Sequence, residues 1–87
     1  YSHAEGDTTT ASGQYSHSEG GFTIASGLGS HAGGIGTSAS ADAQTVIGEY
    51  NVISSSESDR FIIGKGSSRS RANAFRVNHI GFQVPNK

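Results

Sequence analysis

Residues 2–34 read SHAEGDTTTASGQYSHSEGGFTIASGLGSHAGG, and the string repeats itself every fourteen residues. Ser-His-Ala-Glu-Gly at 2–6 returns as Ser-His-Ser-Glu-Gly at 16–20 and as Ser-His-Ala-Gly-Gly at 30–34. Between these copies, Thr-Ala-Ser-Gly at 10–13 is echoed by Ile-Ala-Ser-Gly at 24–27. Each unit therefore holds two seven-residue halves. The third residue of each half is small (Ala4, Ala11, Ser18, Ala25, Ala32, Ala39) and the fifth is Gly as far as Gly34. A repeat this short cannot bury a core of its own and must stack on its neighbours, which is the logic of a solenoid.

Helix is excluded by a Gly in almost every half and by the lack of an apolar seam at heptad spacing. Each half reads as a short strand followed by a tight turn that uses the freedom of glycine at positive φ. Two strands per coil make a narrow parallel β-roll whose coils stack about 4.8 Å apart. Strand alternation puts Ala4 and its equivalents inside, and His3 with Glu5, or Thr10 with Ser12, outside.

From Gln44 the residues change while the phase holds, with Thr45-Val46-Ile47-Gly48 standing where His-Ala-Glu-Gly stood before. The stretch 53–59 breaks the period as a polar loop. Arg60-Phe61-Ile62-Ile63-Gly64 then resumes a strand and turn, 65–71 is a basic Gly/Ser connector, and 73–77 and 79–84 are strand candidates. The bulky apolar residues cluster after Thr45: Val46, Ile47, Phe61, Ile62, Ile63, Phe75, Val77, Ile80, Phe82 and Val84. This divides the chain into a repeat shaft at 1–50, a polar loop at 51–60 and a compact apolar β module at 61–87.

The chain has 87 residues, only 32% of them hydrophobic, with no Cys, Trp or Met. So little apolar mass offsets conformational entropy poorly in a single copy, which points to help from further copies. No disulfide is available, and the absence of cysteine carries no information on redox compartment. No apolar run reaches membrane-spanning length, so no membrane insertion is expected. Tyr1 begins in mid-repeat, as expected of a segment of a longer chain. Net charge is −1, yet all seven acids precede Arg60 and all six bases lie from Arg60 onward. If sequence order maps onto a long axis, one end of the chain is acidic and the other basic.

The Ser-x-Ala-x-Gly halves at a period of fourteen resemble the left-handed β-roll head of trimeric autotransporter adhesins. The fuller pattern, YSHAEGDTTTASGQYSHSEGGFTIASG with QTVIGEYN and DRFIIGKGSSRSRANAFRV, is more similar to tail-fibre or tail-spike proteins of phages and prophages. The resemblance covers nearly the whole chain. It implies an all-β, left-handed parallel β-roll assembled as a homotrimer, with Phe61, Ile63, Phe75 and Val77 packed between subunits. It further implies a structural role in host attachment at a virion tail, or alternatively at a bacterial surface. A host cell-surface glycan is an expected partner, and no cofactor is implied. Gly33 in place of Glu, and Ala41 in place of Gly, depart from the pattern.

Among residues that bear chemistry, His3, His17 and His31 stand fourteen apart and form a ladder on one face. With Glu5 and Glu19 they are candidate ligands for a transition metal. A plain polar ladder is the preferred reading, because no closed ligand set is present. Lys65, Arg69, Arg71 and Arg76 form a basic cluster that is either an anion-binding site or a connector paired with acids of a neighbouring coil. No nucleic acid partner is expected. Catalysis is not expected either, since Ser, His and acids recur by repeat and form no single asymmetric constellation. Gly27-Leu28-Gly29-Ser30-His31-Ala32, Gly64-Lys65-Gly66-Ser67 and Gly33-Gly34-Ile35-Gly36 only approximate dinucleotide, phosphate and calcium motifs, and read as turns. The Thr10, Ile24, Ser38 row is too irregular for an ice-binding surface.

Overall fold

The computed structural model describes residues 2–53, 59–78 and 82–83. All regular structure among them is β. Strands β1 (His3–Asp7), β3 (His17–Gly21), β5 (His31–Ala32) and β7 (Thr45–Glu49) pair in parallel to form a long sheet. Strands β2 (Thr10–Ala11), β4 (Ile24–Ala25) and β6 (Ser38–Ala39) form a short sheet opposite it. The chain alternates between the two, giving a parallel β-solenoid of about four turns. The fourteen-residue repeat is the register itself: His3 lies beside His17 and His17 beside His31, while Thr10 lies beside Ile24 and Ile24 beside Ser38.

Stacking dictates where glycine must be. Gly6, Gly20, Gly34 and Gly48 all have φ between 102° and 118°. That region excludes a Cβ, and one built at Gly20 would be driven into the Gly34 carbonyl oxygen. In the short-sheet half, a Cβ at Gly13 would strike the Gly27 carbonyl oxygen, and one at Gly27 the Ala41 carbonyl oxygen. Ala41 ends this column because no described coil stacks on it there. The substitution of Gly by Ala is thus a mark of where the short sheet stops.

The core is thin. Ala25, Ala32, Ala39, Val46 and Ile62 form its fully buried apolar cluster. Ser18 replaces Ala in this interior, and its hydroxyl is satisfied by Thr23 at 2.6 Å. Buried hydroxyls line the corners: Ser16 and Ser30 donate to the carbonyls of Gly13 and Gly27, and Thr23 and Thr37 to those of Glu19 and Gly33. Hydrogen bonding is what makes so polar an interior tolerable.

The fourth coil departs from this pattern in two ways. First, the short sheet ends on side-chain amides. Asn51, fully buried in the Thr9/Thr23/Thr37 column, accepts from the Ser38 N–H through Oδ1 at 2.8 Å. Its Nδ2 donates to the Ser38 carbonyl at 3.2 Å and the Val52 carbonyl at 2.9 Å. Gln44, in the Ser16/Ser30 column and also fully buried, accepts from the N–H groups of Ser40 and Ala41 through Oε1. In earlier coils the equivalent N–H groups, of Ser12 with Gly13 and of Ser26 with Gly27, bond to the next coil's carbonyls at Ala25 and Ala39. The two amides thus stand in for a missing strand.

Second, the long sheet continues. Strand β8 (Asp59–Lys65) pairs in parallel with β7, setting Thr45-Val46-Ile47-Gly48 beside Phe61-Ile62-Ile63-Gly64. The repeat therefore keeps its rows across a coil two residues longer than the rest. Strands β9 (Asn73–Asn78) and β10 (Phe82–Gln83) then add in antiparallel order, completing a seven-stranded sheet. The apolar C-terminal segment extends the sheet of the shaft. Residues 54–58 of the anticipated loop, 79–81 and 84 of the last candidate strand, and 85–87 lie outside the described residues.

Candidate functional site

The outer face of the long sheet gathers the sequence's distinctive side chains into two rows. One row runs His3, His17, His31, Thr45, Phe61, Val77. In the other, Glu5 pairs with Glu19, Gly33 follows fourteen residues on, and Ile47, Ile63 and Phe75 complete the line. The face is polar and titratable over the first three coils and apolar over β7, β8 and β9.

In the polar zone the imidazoles stack. Ring centroids are 4.9 Å apart for His3 and His17 and 4.8 Å apart for His17 and His31, with interplanar angles of 13° and 8°. His3 Nε2 lies 2.8 Å from Glu5 Oε1, and His17 Nε2 lies 3.2 Å from Glu19 Oε1. The His3 hydrogen bond, reinforced by its charge when protonated, holds the Glu5 carboxyl below its usual 4.5. In the third coil Gly33 replaces the glutamate, so His31 shares Glu19, whose Oε2 is 3.8 Å away. Parallel rings direct their nitrogen lone pairs along separate planes and cannot converge on one ion. No cluster among the described residues has the make-up of a metal site. Within one chain, His3, His17 and His31 form a hydrogen-bonded polar ladder.

In the apolar zone, Phe61 and Phe75 meet edge to face at 6.1 Å and 77°. Phe61, Ile63, Phe75 and Val77 are each half-buried, and Ile47 is 39% exposed. The four residues anticipated at a subunit interface therefore lie together on one sheet face. Cross-strand pairing unites Phe61 with Val77 and Ile63 with Phe75.

The fold gives the basic residues different partners. Arg71 donates from Nη1 to the carbonyls of Gly36 at 2.9 Å and Asn51 at 3.2 Å. Its guanidinium also lies 5.6 Å from the Tyr50 ring centroid. Arg76 pairs across from the buried Ile62, on the opposite face from Phe75. Lys65 ends β8 beside Glu49, and Arg69 is exposed in the β8–β9 connection. Arg71, though exposed, thus holds the end of the roll, and Lys65 and Arg69 are exposed as well.

Sequence reasoning missed Gln44 and Asn51, and it singled out Arg71 without its bonds to backbone carbonyls. The first two had a signal, since each interrupts a column of Ser or Thr with an amide. The sequence matches no protein-family model, and neither characterised proteins nor solved structures give a match.

Proposed function

We propose that this chain is a non-catalytic structural segment of a trimeric phage or prophage tail fibre or tail spike. Three left-handed β-rolls stand side by side and hold receptor-binding parts away from the virion, with a host cell-surface glycan as the distal partner. The observation that carries this reading is the apolar zone of Ile47, Phe61, Ile63, Phe75 and Val77 on an outward face. A chain whose fully buried apolar cluster is three alanines, a valine and an isoleucine gains little from its own core, so the larger side chains must find cover elsewhere. A three-fold assembly supplies that cover at equal height on each copy.

The plainness of the first three coils, with Ser-His-Ala or Ser-His-Ser in each, favours the head of a bacterial trimeric adhesin as the second reading. Sedimentation equilibrium at micromolar concentration tests the trimer. The expected mass is three times 8.9 kDa, and Phe61→Ser with Phe75→Ser shifts the species toward a monomer. A folded wild-type monomer at that concentration refutes the proposal. The flanking segments of the parent chain separate the two settings.

A further inference from the structure

We propose that the interface between copies runs along the whole outer face of the long sheet, so that the His3–His17–His31 ladder meets its counterparts and proton uptake strengthens assembly. This rests on the trimer reading above, and its occupant is a second copy of this chain. The geometry behind it is continuity. The row that holds the ladder is the row that holds Phe61 and Val77, in unbroken register. The neighbouring row runs from Glu5 and Glu19 past Gly33, outside β5, to Ile47, Ile63 and Phe75. Only β7 separates the His31 strand from the Phe61 strand, a step of about 4.8 Å on either side. A neighbour that covers the apolar zone and lies parallel to the roll therefore reaches the ladder as well.

The charges on that face set the sign. On β1 and β3 the ladder faces Glu5 and Glu19, on β5 it faces Gly33, and on β7 it meets Thr45 and Ile47, which carry no charge. Asp7 and Glu49 close the ends of β1 and β7, Glu49 beside Lys65. With three neutral imidazoles and two carboxylates, each ladder carries −2. Two protons neutralise it and the third makes it +1, because the third coil has Gly33 in place of a glutamate.

Like-charged faces repel in proportion to the product of their charges, so the deprotonated ladders oppose assembly most. An imidazole that gains carboxylates from a neighbour is protonated more readily in the assembly than in the separate chain. The resulting stabilisation is complete below the separate chain's titration and is lost as pH rises through that of the assembly. Association therefore strengthens as pH falls from 8 to 6.

The test is the trimerisation constant by sedimentation equilibrium at pH 8, 6 and 5, at one ionic strength. Wild type is compared with a His3→Gln, His17→Gln, His31→Gln triple variant and with Glu19→Gln. Wild type is expected to associate about tenfold or more tightly at pH 6 than at pH 8, the effect of one pK unit on a single linked imidazole. The triple variant is expected to be flat over that range, and it retains His79 as an internal control. Glu19→Gln leaves each ladder between −1 and +2, so its tightest association moves to higher pH and it weakens clearly by pH 5. A wild-type trimer with an unchanged constant overturns the inference and leaves the trimer standing. A pH dependence that survives the triple variant, or a Glu19→Gln profile identical to wild type, does the same. A chain monomeric at every pH overturns the trimer reading and this inference together.

Discussion

Asn51→Thr restores the repeat, since Thr9, Thr23 and Thr37 occupy the same column, and it is nevertheless expected to destabilise the fold. A threonine hydroxyl there can donate to the carbonyl four residues back, as Thr23 and Thr37 do. It cannot reach both the N–H and the carbonyl of Ser38. Asn51 contributes three hydrogen bonds at a fully buried site, two of them to Ser38, which is itself buried. A buried polar group left without a partner costs about 1–3 kcal/mol, so uncapping both the N–H and the carbonyl of Ser38 costs roughly 2–6 kcal/mol. Against a usual domain stability of about 5–15 kcal/mol, that is a large fraction. Asn51→Asp keeps the acceptor for the Ser38 N–H but turns a second carboxylate oxygen toward two carbonyls. Its defect is expected to be worst at neutral pH and to ease when the acid is protonated. Urea titration at a fixed chain concentration gives the free energies, with concentration held constant because assembly shifts the apparent stability. Hydrogen exchange at the Ser38 amide gives the local effect. If Asn51→Thr melts within about 0.5 kcal/mol of wild type, the scatter of an ordinary surface change, and Ser38 exchange is unaltered, the amide is no cap.

Three further outcomes follow from the same contacts. Gly20→Ala forces a Cβ into the Gly34 carbonyl at φ 107° and is expected to abolish the cooperative unfolding transition, whereas Ala41→Gly, at the open end of the other column, costs at most about 1 kcal/mol by denaturant titration. Arg71→Lys loses the guanidinium contact with Tyr50 and must reach both carbonyls from a shorter side chain, and is expected to lower stability by about 1–2 kcal/mol in the same assay. The Glu5 carboxyl is expected to titrate below 4.5 by NMR, and His3→Gln to move it back up toward that value. Because Glu5's folded value is depressed, its contribution is present above the unfolded titration range and is lost as pH falls through the folded one.

The fourteen-residue period carried the register, the alternation of sheets and the inward Ala column, because stacked identical coils leave the chain no other phase. The outer rows followed from alternation, which is why Phe61, Ile63, Phe75 and Val77 could be placed on one face. The end of the short sheet was harder to see. Gln44 and Asn51 look like decay of the repeat until the Ser38, Ser40 and Ala41 backbone groups are known to need partners. The roles within the basic cluster were hidden for a similar reason: Arg71 bonds the Gly36 and Asn51 carbonyls and Arg76 lies across from Ile62, while Lys65 and Arg69 are exposed. Side-chain bonds to backbone have no period, so no pattern in the sequence announces them.

The asymmetry between the two sheets has a consequence for assembly. The short sheet stops at β6, sealed by amides, while the long sheet runs on through β8, β9 and β10. Among the described residues, those last strands have no opposing strand of the short sheet. Among the described side chains, their inner side keeps Ile62 fully buried, and their outer side carries Phe61, Ile63, Phe75 and Val77 half-covered. A sheet with so little packed against either face is a poor independent structure in water. In the assembly proposed above, capping one wall while lengthening the other would place the largest side chains where a second copy can reach them, and the cap would keep the sealed wall from pairing edge to edge.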